Sequence, residues 1–218
     1  MLTPRNYLSF SQMTLFEMSP EKYLEKYVYG KRERISRNMS YGSQMAKGLE
    51  AEEATGDPLL DLVMARLPKF ELMDKPIEAI LPVRGGLTAC INAAESETTS
   101  GKEPEVIHLL AKPDTAKADY TAFKEYKTSV RKWTQKMADD SGQITFYATT
   151  IWLAKGFIPQ DIELVDAVVE YDPDGRLRPT GDIWRFQTKR TMVDIIKMTG
   201  RMKKAWAGIK ELCKNELL

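Results

Sequence analysis

Three charged residues near the middle of the chain have types and spacings suited to metal-assisted chemistry. Glu125 and Lys127 are two positions apart in the segment 122–127, which is predicted to be a short strand. Side chains two apart on a strand emerge on the same face, so an acid lies beside an ammonium group. Asp114 ends the preceding apolar run. An antiparallel hairpin through residues 115–121 would bring its carboxylate beside that of Glu125.

Two carboxylates and one ammonium group make phosphodiester hydrolysis a chemically complete hypothesis. Mg²⁺ prefers oxygen ligands and keeps several waters, which a carboxylate pair and a substrate phosphate would satisfy. Such a metal polarises a phosphodiester and lowers the pKa of its bound water. Lys127 could orient the attacking water or offset charge in the transition state. We therefore predict that Asp114, Glu125 and Lys127 are catalytic and that the two acids bind Mg²⁺ or Mn²⁺.

The hydropathy pattern around these residues predicts a mixed α/β fold. Strands are predicted at 77–83, 87–91, 106–110, 122–127, 162–169 and about 182–187, with turns at Gly85-Gly86, 139–142 and 172–175 and a surface loop at 95–105. Helices are predicted as two short segments interrupted at Pro20, and then at 43–56, 58–67, 143–155 and 192–215. The chain is expected to form a single domain, 1–218, with N-terminal helices 9–67, a catalytic core at about 75–171 and a C-terminal strand and helix 179–215.

The central motifs resemble those of a known nuclease superfamily. Pro113-Asp114, ten intervening residues and then Glu125-Tyr126-Lys127-Thr128 resemble the PD-(D/E)XK signature, particularly in its RecB-type and phage exonuclease branches. Gln143 and Tyr147, four apart on one predicted helix, resemble the QxxxY element of the RecB-type branch. The similarity also includes the N-terminal helices, and it is recognisable from about residue 7 to 155.

This resemblance implies a restriction-endonuclease-like core, with a central mixed sheet flanked by helices. Tyr41-Gly42 and Leu49-Glu50 resemble the first acidic motif, so Glu50 is implied as a further metal ligand and catalytic residue. The backbone carbonyl of Tyr126 is implied as another ligand. Gln143 and Tyr147 are expected to position the site and to contact DNA.

The chain also departs from the family pattern. Many RecB-type members carry a histidine four residues after the glycine that corresponds to Gly42, but this chain has Ala46 there. The histidine ligand therefore cannot be carried over. Cys90 and Cys213 are far apart and lack a CxxC spacing, so no iron–sulfur cluster is expected.

The overall charge does not indicate a polyanionic partner, because 32 basic and 31 acidic residues leave a formal charge of +1. Any DNA surface must be local. Basic clusters predict DNA contacts at Arg34, Arg131 and Lys132. Trp133 could stack on a base or sugar, although a tryptophan that caps the core is an equal alternative.

The function predicted from these features is exonucleolytic hydrolysis at DNA ends in recombination, repair or phage replication. Expected partners are DNA, a single-strand annealing or recombination protein, and further copies of the chain, since some phage exonucleases of this resemblance form rings. Two alternatives remain open: a catalytically silent DNA-binding or assembly subunit, and a site-specific endonuclease. With no secretory leader and no apolar run long enough to span a membrane, a cytoplasmic location in a bacterium or phage-infected cell is expected.

Overall fold

The structure is a computed structural model that describes residues 6–31, 37–51, 53–72, 76–84 and 105–215. Arg34, the predicted strand 87–91, the Gly85-Gly86 turn and all but the last residue of the 95–105 loop lie outside these ranges. Glu50 lies in a described helix, but its side chain is not among those described.

In the described part of the chain the N-terminal helices are followed by a run of strands, and then by a pair of helices, a pair of strands and a C-terminal helix. The helices are α1 (Phe10–Met18), α2 (Pro20–Tyr23, continued by a π-helical turn at Leu24–Val28), α3 (Arg37–Ala51), α4 (Pro58–Arg66), α5 (Gln135–Asp139), α6 (Gly142–Lys155) and α7 (Met192–Asn215). The strands are β1 (Glu71–Leu72), β2 (Ile77–Pro82), β3 (Val106–Ala111), β4 (Thr115–Ala116), β5 (Ala122–Ser129), β6 (Asp161–Tyr171) and β7 (Leu177–Thr188). No described helix has the length and hydrophobicity needed to cross a membrane.

Five strands form a mixed sheet in the order β1-β4-β5-β6-β7. Only β5 and β6 pair in parallel, and the other neighbours are antiparallel. A parallel pair needs a crossover connection, which α5 and α6 supply. The strands β2 and β3 form a separate antiparallel pair.

Helices cover the central sheet on both faces, each over its own hydrophobic core. One core joins α6 and α7 to side chains such as Phe123, Ile162 and Leu164. The other joins α3 and α4 to side chains that include Tyr126 and Val165. Successive residues of a strand project to opposite faces, so Glu125 and Lys127 lie on the α6 side. The predicted central mixed sheet flanked by helices is confirmed.

Helix α6 places two predicted site residues, and its ends follow from local sequence. The Ser141 hydroxyl accepts a hydrogen bond from the backbone N–H of Ile144 at the start of the helix. Gly156 ends the helix with φ +80°, a left-handed conformation that glycine adopts without steric cost. The predicted helix 143–155 is confirmed.

The sequence analysis missed one element and misplaced an end of two others. The short helix α5 precedes the polar turn predicted at 139–142, and Thr134 caps it by accepting from the N–H of Met137. Helix α3 ends at Ala51 rather than Gly56. Strand β7 begins at Leu177, earlier than expected, because a proline is tolerated on this edge strand and a register shift lies opposite Pro179.

Candidate active site

The pairing of β4 with β5 brings the two predicted acids together. Thr115 pairs with Lys124 in an antiparallel register. Asp114, which precedes Thr115, therefore lies opposite Glu125, which follows Lys124. The Asp114 carboxylate accepts a hydrogen bond from the backbone N–H of Tyr126, with Oδ2 and N 2.6 Å apart. The predicted hairpin between residues 114 and 125 is confirmed.

Glu125 is the centre of the polar cluster and is only 4% exposed. Its Oε1 accepts from Lys127 Nζ at 2.6 Å and from Gln143 Nε2 at 2.7 Å. Its other oxygen, Oε2, is buried and, while Asp114 is ionised, has no hydrogen-bond partner among the described residues. A buried carboxylate oxygen without a donor is costly, so Oε2 is open to a ligand.

Gln143 joins helix α6 to strand β5 through a single amide. Its Oε1 accepts from Lys127 Nζ at 2.7 Å, and its Nε2 donates to the Tyr147 hydroxyl at 2.8 Å. Burial raises the pKa of Tyr147, and the negative charge of Glu125 raises it further. Tyr147 therefore stays neutral. The sheet and the helix place Asp114, Glu125, Lys127, Gln143 and Tyr147 in one cluster, as the sequence predicted.

The pKa of Asp114 is raised well above its ordinary value. Burial is the largest cause, and the charge of Glu125 adds to it. The Tyr126 N–H and the Lys127 ammonium lower the pKa, but by less in total. The protonated form is also favoured because it hydrogen-bonds Glu125. Two carboxylates this close repel each other, and a cation between them would relieve that repulsion.

The oxygen atoms available here suit a hard divalent cation. Asp114 and the free oxygen of Glu125 could supply two carboxylate ligands, and the backbone carbonyl of Tyr126, the residue after Glu125 on β5, could supply a third oxygen. The described residues contain no group of three His, Cys, Asp or Glu side chains that could hold a metal. Glu50, which the resemblance implies as a further ligand, lies in α3, and its side chain is outside the described part of the chain. Helix α3 approaches β5 closely, since a Cβ on Gly42 would lie 3.1 Å from Thr128 Oγ1.

A cavity of about 580 Å³ opens beside Lys127 and Gln143. Arg131 and Trp133, which the sequence predicted to contact DNA, line it. The third residue of that group, Lys132, lies with its Nζ 4.8 Å from the centre of the Trp184 ring. Trp133 packs partly buried against the core, as the core-capping alternative predicted, and it also lines the cavity.

Asp166 is a buried acid that the sequence reasoning did not identify. It lies beside Lys127 on β6 and has no exposed surface. Its carboxylate accepts from Ser129 Oγ at 2.6 Å and from the Trp133 backbone N–H at 3.0 Å, which fixes the segment that leaves β5. Burial raises the pKa of Asp166, although both hydrogen bonds oppose that rise. The available signal was an acid inside the run 162–169, which is apolar except for Glu163 and Asp166.

Arg190 is a second residue that went unrecognised. Its guanidinium is buried and donates to the carbonyls of Ala138 and Ser141 at 3.0 and 3.2 Å, and to Thr145 Oγ1 at 2.7 Å. It therefore fixes the junction between α5 and α6, directly before Gln143. Nothing in the local sequence distinguishes it from an exposed arginine.

Comparison with known proteins supports the fold. No protein-family model and no curated protein matches the chain. The structure is similar to that of a candidate exonuclease from Eubacterium rectale, with a TM-score of 0.54 and 14% identity over 97% of this chain and 82% of the other. An alkaline exonuclease from Laribacter hongkongensis aligns over 97% of this chain and 94% of its own, with a TM-score of 0.42 and 14% identity. The chain therefore has the mixed α/β fold of the Eubacterium rectale protein.

Proposed function

We propose that the chain is a metal-dependent DNA nuclease that acts as an exonuclease. The observation that carries this proposal is the free, buried Oε2 of Glu125 beside the carboxyl of Asp114. Two acids forced together, one with an unpartnered oxygen, destabilise a protein unless a ligand compensates. A divalent cation supplies that compensation.

Each residue of the cluster then has a separate task. Asp114 and Glu125 would hold Mg²⁺ or Mn²⁺, with the Tyr126 carbonyl and Glu50 as further candidate ligands. When bound, the metal polarises the scissile phosphate and lowers the pKa of a water. Lys127 is fixed between Glu125 and Gln143 but is 25% exposed, so its ammonium can meet a phosphate or a water. Gln143 and Tyr147 keep Lys127 and Glu125 in place.

We prefer exonuclease to endonuclease activity because the fold matches that of a candidate exonuclease and the site adjoins the cavity that Arg131 and Trp133 line. In that role the protein would act at DNA ends in recombination, repair or phage replication within the cytoplasm. A single-strand annealing or recombination protein and further copies of the chain are the partners that we propose for it.

Digestion of defined DNA substrates tests this proposal. Linear duplex and single-stranded DNA are incubated with Mg²⁺ or Mn²⁺, with and without chelator. We expect metal-dependent release of nucleotides, reduced at least about 100-fold by Asp114→Asn, Glu125→Gln or Lys127→Met. Lys155→Met is the matched control, because Lys155 is exposed at the opposite end of α6. Activity that persists in Asp114→Asn would contradict the proposal.

A covalently closed circular substrate separates exonuclease from endonuclease. An enzyme that requires an end leaves the circle intact, whereas a site-specific endonuclease cuts it.

Ala46 motivates a second candidate, a catalytically silent DNA-binding or assembly subunit. It occupies the α3 position where many RecB-type proteins have a histidine ligand. Calorimetric titration with Mn²⁺ separates the candidates, since a silent subunit has no need to bind metal at Asp114. Equal heats for the unmodified chain and Asp114→Asn would favour the silent subunit.

A further inference from the structure

Aromatic and cationic side chains continue from Lys127 across the sheet. The strand registers pair Lys127 with Asp166, and Asp166 with Trp184, so these three residues lie side by side on one face. Trp184 is 44% exposed although it is a large aromatic side chain. Lys132 lies over its ring, with 4.8 Å between Nζ and the ring centre.

A second ring lies in the cavity next to the candidate active site. Trp133 lines this cavity together with Arg131, and the hydrogen bond from its N–H to Asp166 fixes its backbone. Lys136 also lines the cavity but pairs with Asp140 at 2.5 Å. Within the described part of the chain, no ion pair is found for Arg131 or Lys132. We call the set Arg131, Lys132, Trp133 and Trp184 the aromatic track.

We propose that the aromatic track binds a single DNA strand that leads into the candidate active site. Bases would stack on Trp133 and Trp184, and phosphates would contact Arg131 and Lys132. Aromatic platforms interleaved with cations are the usual means of binding unpaired strands. The bases inside an intact duplex already stack on one another on both faces, so they leave no face for a tryptophan. The cavity of about 580 Å³ also has the size of a small-ligand pocket. The inference rests on the proposed function only for the choice of DNA.

Binding without cleavage tests the inference. The full chain is titrated in chelator, and fluorescence anisotropy follows labelled oligothymidylate of about ten nucleotides, within the range that single-strand binding folds cover. An abasic strand of equal length and charge and a duplex of equal length are the comparison ligands. We expect oligothymidylate to bind roughly tenfold more tightly than the abasic strand, because stacking contributes free energy per base.

Variants test whether the aromatic track causes the preference for oligothymidylate over the abasic strand. Trp184→Ala should remove most of the preference for bases, and it should fold because Trp184 is exposed. Trp133 packs on the core, so Trp133→Phe, which keeps a ring, is compared with Trp133→Leu, which does not. Lys132→Ala should weaken binding of both strands. Lys155→Ala is the matched control, because Lys155 lies 5.0 Å over the Tyr120 ring at the far end of α6.

Equal affinity for oligothymidylate and the abasic strand, or tighter binding of duplex, would overturn the inference. An unchanged base preference in Trp184→Ala together with Trp133→Leu would also overturn it. The outcome is independent of the nuclease test, since the metal is chelated. Nuclease activity without a preference for bases would contradict only the role proposed for the aromatic track. A preference for bases without nuclease activity would contradict only the proposed function.

Discussion

Gln143 has a fixed amide orientation because its neighbours leave no alternative. A lysine ammonium only donates hydrogen bonds, so Oε1 of Gln143 must face Lys127. The Nε2 group then donates to both Glu125 and Tyr147. The Gln143 side chain thereby sets the positions of the Lys127 ammonium group and of Glu125, a candidate metal ligand.

Replacing Gln143 and replacing Tyr147, both on α6, should have unequal effects on nuclease activity. Gln143→Ala releases both Lys127 and Glu125, so we expect kcat to fall on the order of 100-fold, the cost of small misplacements in a site. Tyr147→Phe removes only the hydroxyl that accepts from Gln143, and we expect a loss of about 2- to 10-fold. Steady-state kinetics of nucleotide release measure both. A loss of only about 2- to 10-fold for Gln143→Ala would mean that Gln143 does not position the cluster.

Glu163 joins three strands on the opposite face of the sheet. From β6 it accepts hydrogen bonds from Lys124 of β5 at 2.5 Å and from Arg185 of β7 at 2.6 Å. Glu163 has no exposed surface, and Lys124 is also buried. Burial raises the pKa of Glu163, but the hydrogen bonds and charges of Arg185 and Lys124 together lower it below its ordinary value.

The lowered pKa gives this cluster a predictable pH dependence. A depressed folded-state pKa contributes stability above the unfolded value, about 4.3, and the contribution is lost as pH falls through the folded value. Glu163→Gln leaves the buried Lys124 without its counter-charge, so we expect about 3 kcal/mol lower stability at pH 7. The difference should shrink below about pH 4. Urea unfolding at several pH values measures it, with the exposed Glu170→Gln on the same strand as control.

The junction between α5 and α6 depends on the buried hydrogen bonds of Arg190, as the three strands depend on those of Glu163. Lysine cannot reproduce the fork that reaches Ala138, Ser141 and Thr145 together. We expect Arg190→Lys to lower stability by about 2 kcal/mol through unsatisfied buried carbonyls. It should also reduce kcat, because Gln143 follows this junction. Thermal unfolding and kinetics measure the two effects, and the exposed Arg176→Lys is the control. Unchanged kcat would assign Arg190 to stability alone.

At the scale of the molecule, sequence periodicity predicted most of the elements but few of the tertiary contacts. The spacing of Asp114 and Glu125 sufficed because strand geometry and one hairpin place them together. Arg190 could not be recognised, and the sequence signal at Asp166 did not reveal its role, because the burial of both depends on partners from distant elements. The same holds for Trp184, which meets Lys132 only through the pairing of β6 with β7.

The two acids of the candidate active site should lower the stability of the metal-free protein. Because the pKa of Asp114 is raised in the folded state, its contribution to stability is present below the unfolded pKa and is lost as pH rises through the folded pKa. Ionising Asp114 in the folded chain therefore carries a cost. A cation that binds only the folded chain offsets this cost and adds its own binding free energy.

Thermal unfolding should therefore respond to metal at the level of the whole fold. At a free Mn²⁺ concentration 100 times its Kd, the gain is about 2.7 kcal/mol, which for a chain of this size raises Tm by roughly 5–10 °C. In chelator at pH 7, Asp114→Asn should melt above the unmodified protein, because it removes the charge next to Glu125. The same variant should show no rise with Mn²⁺. An equal rise in both proteins would place the metal elsewhere and leave the free oxygen of Glu125 without a ligand.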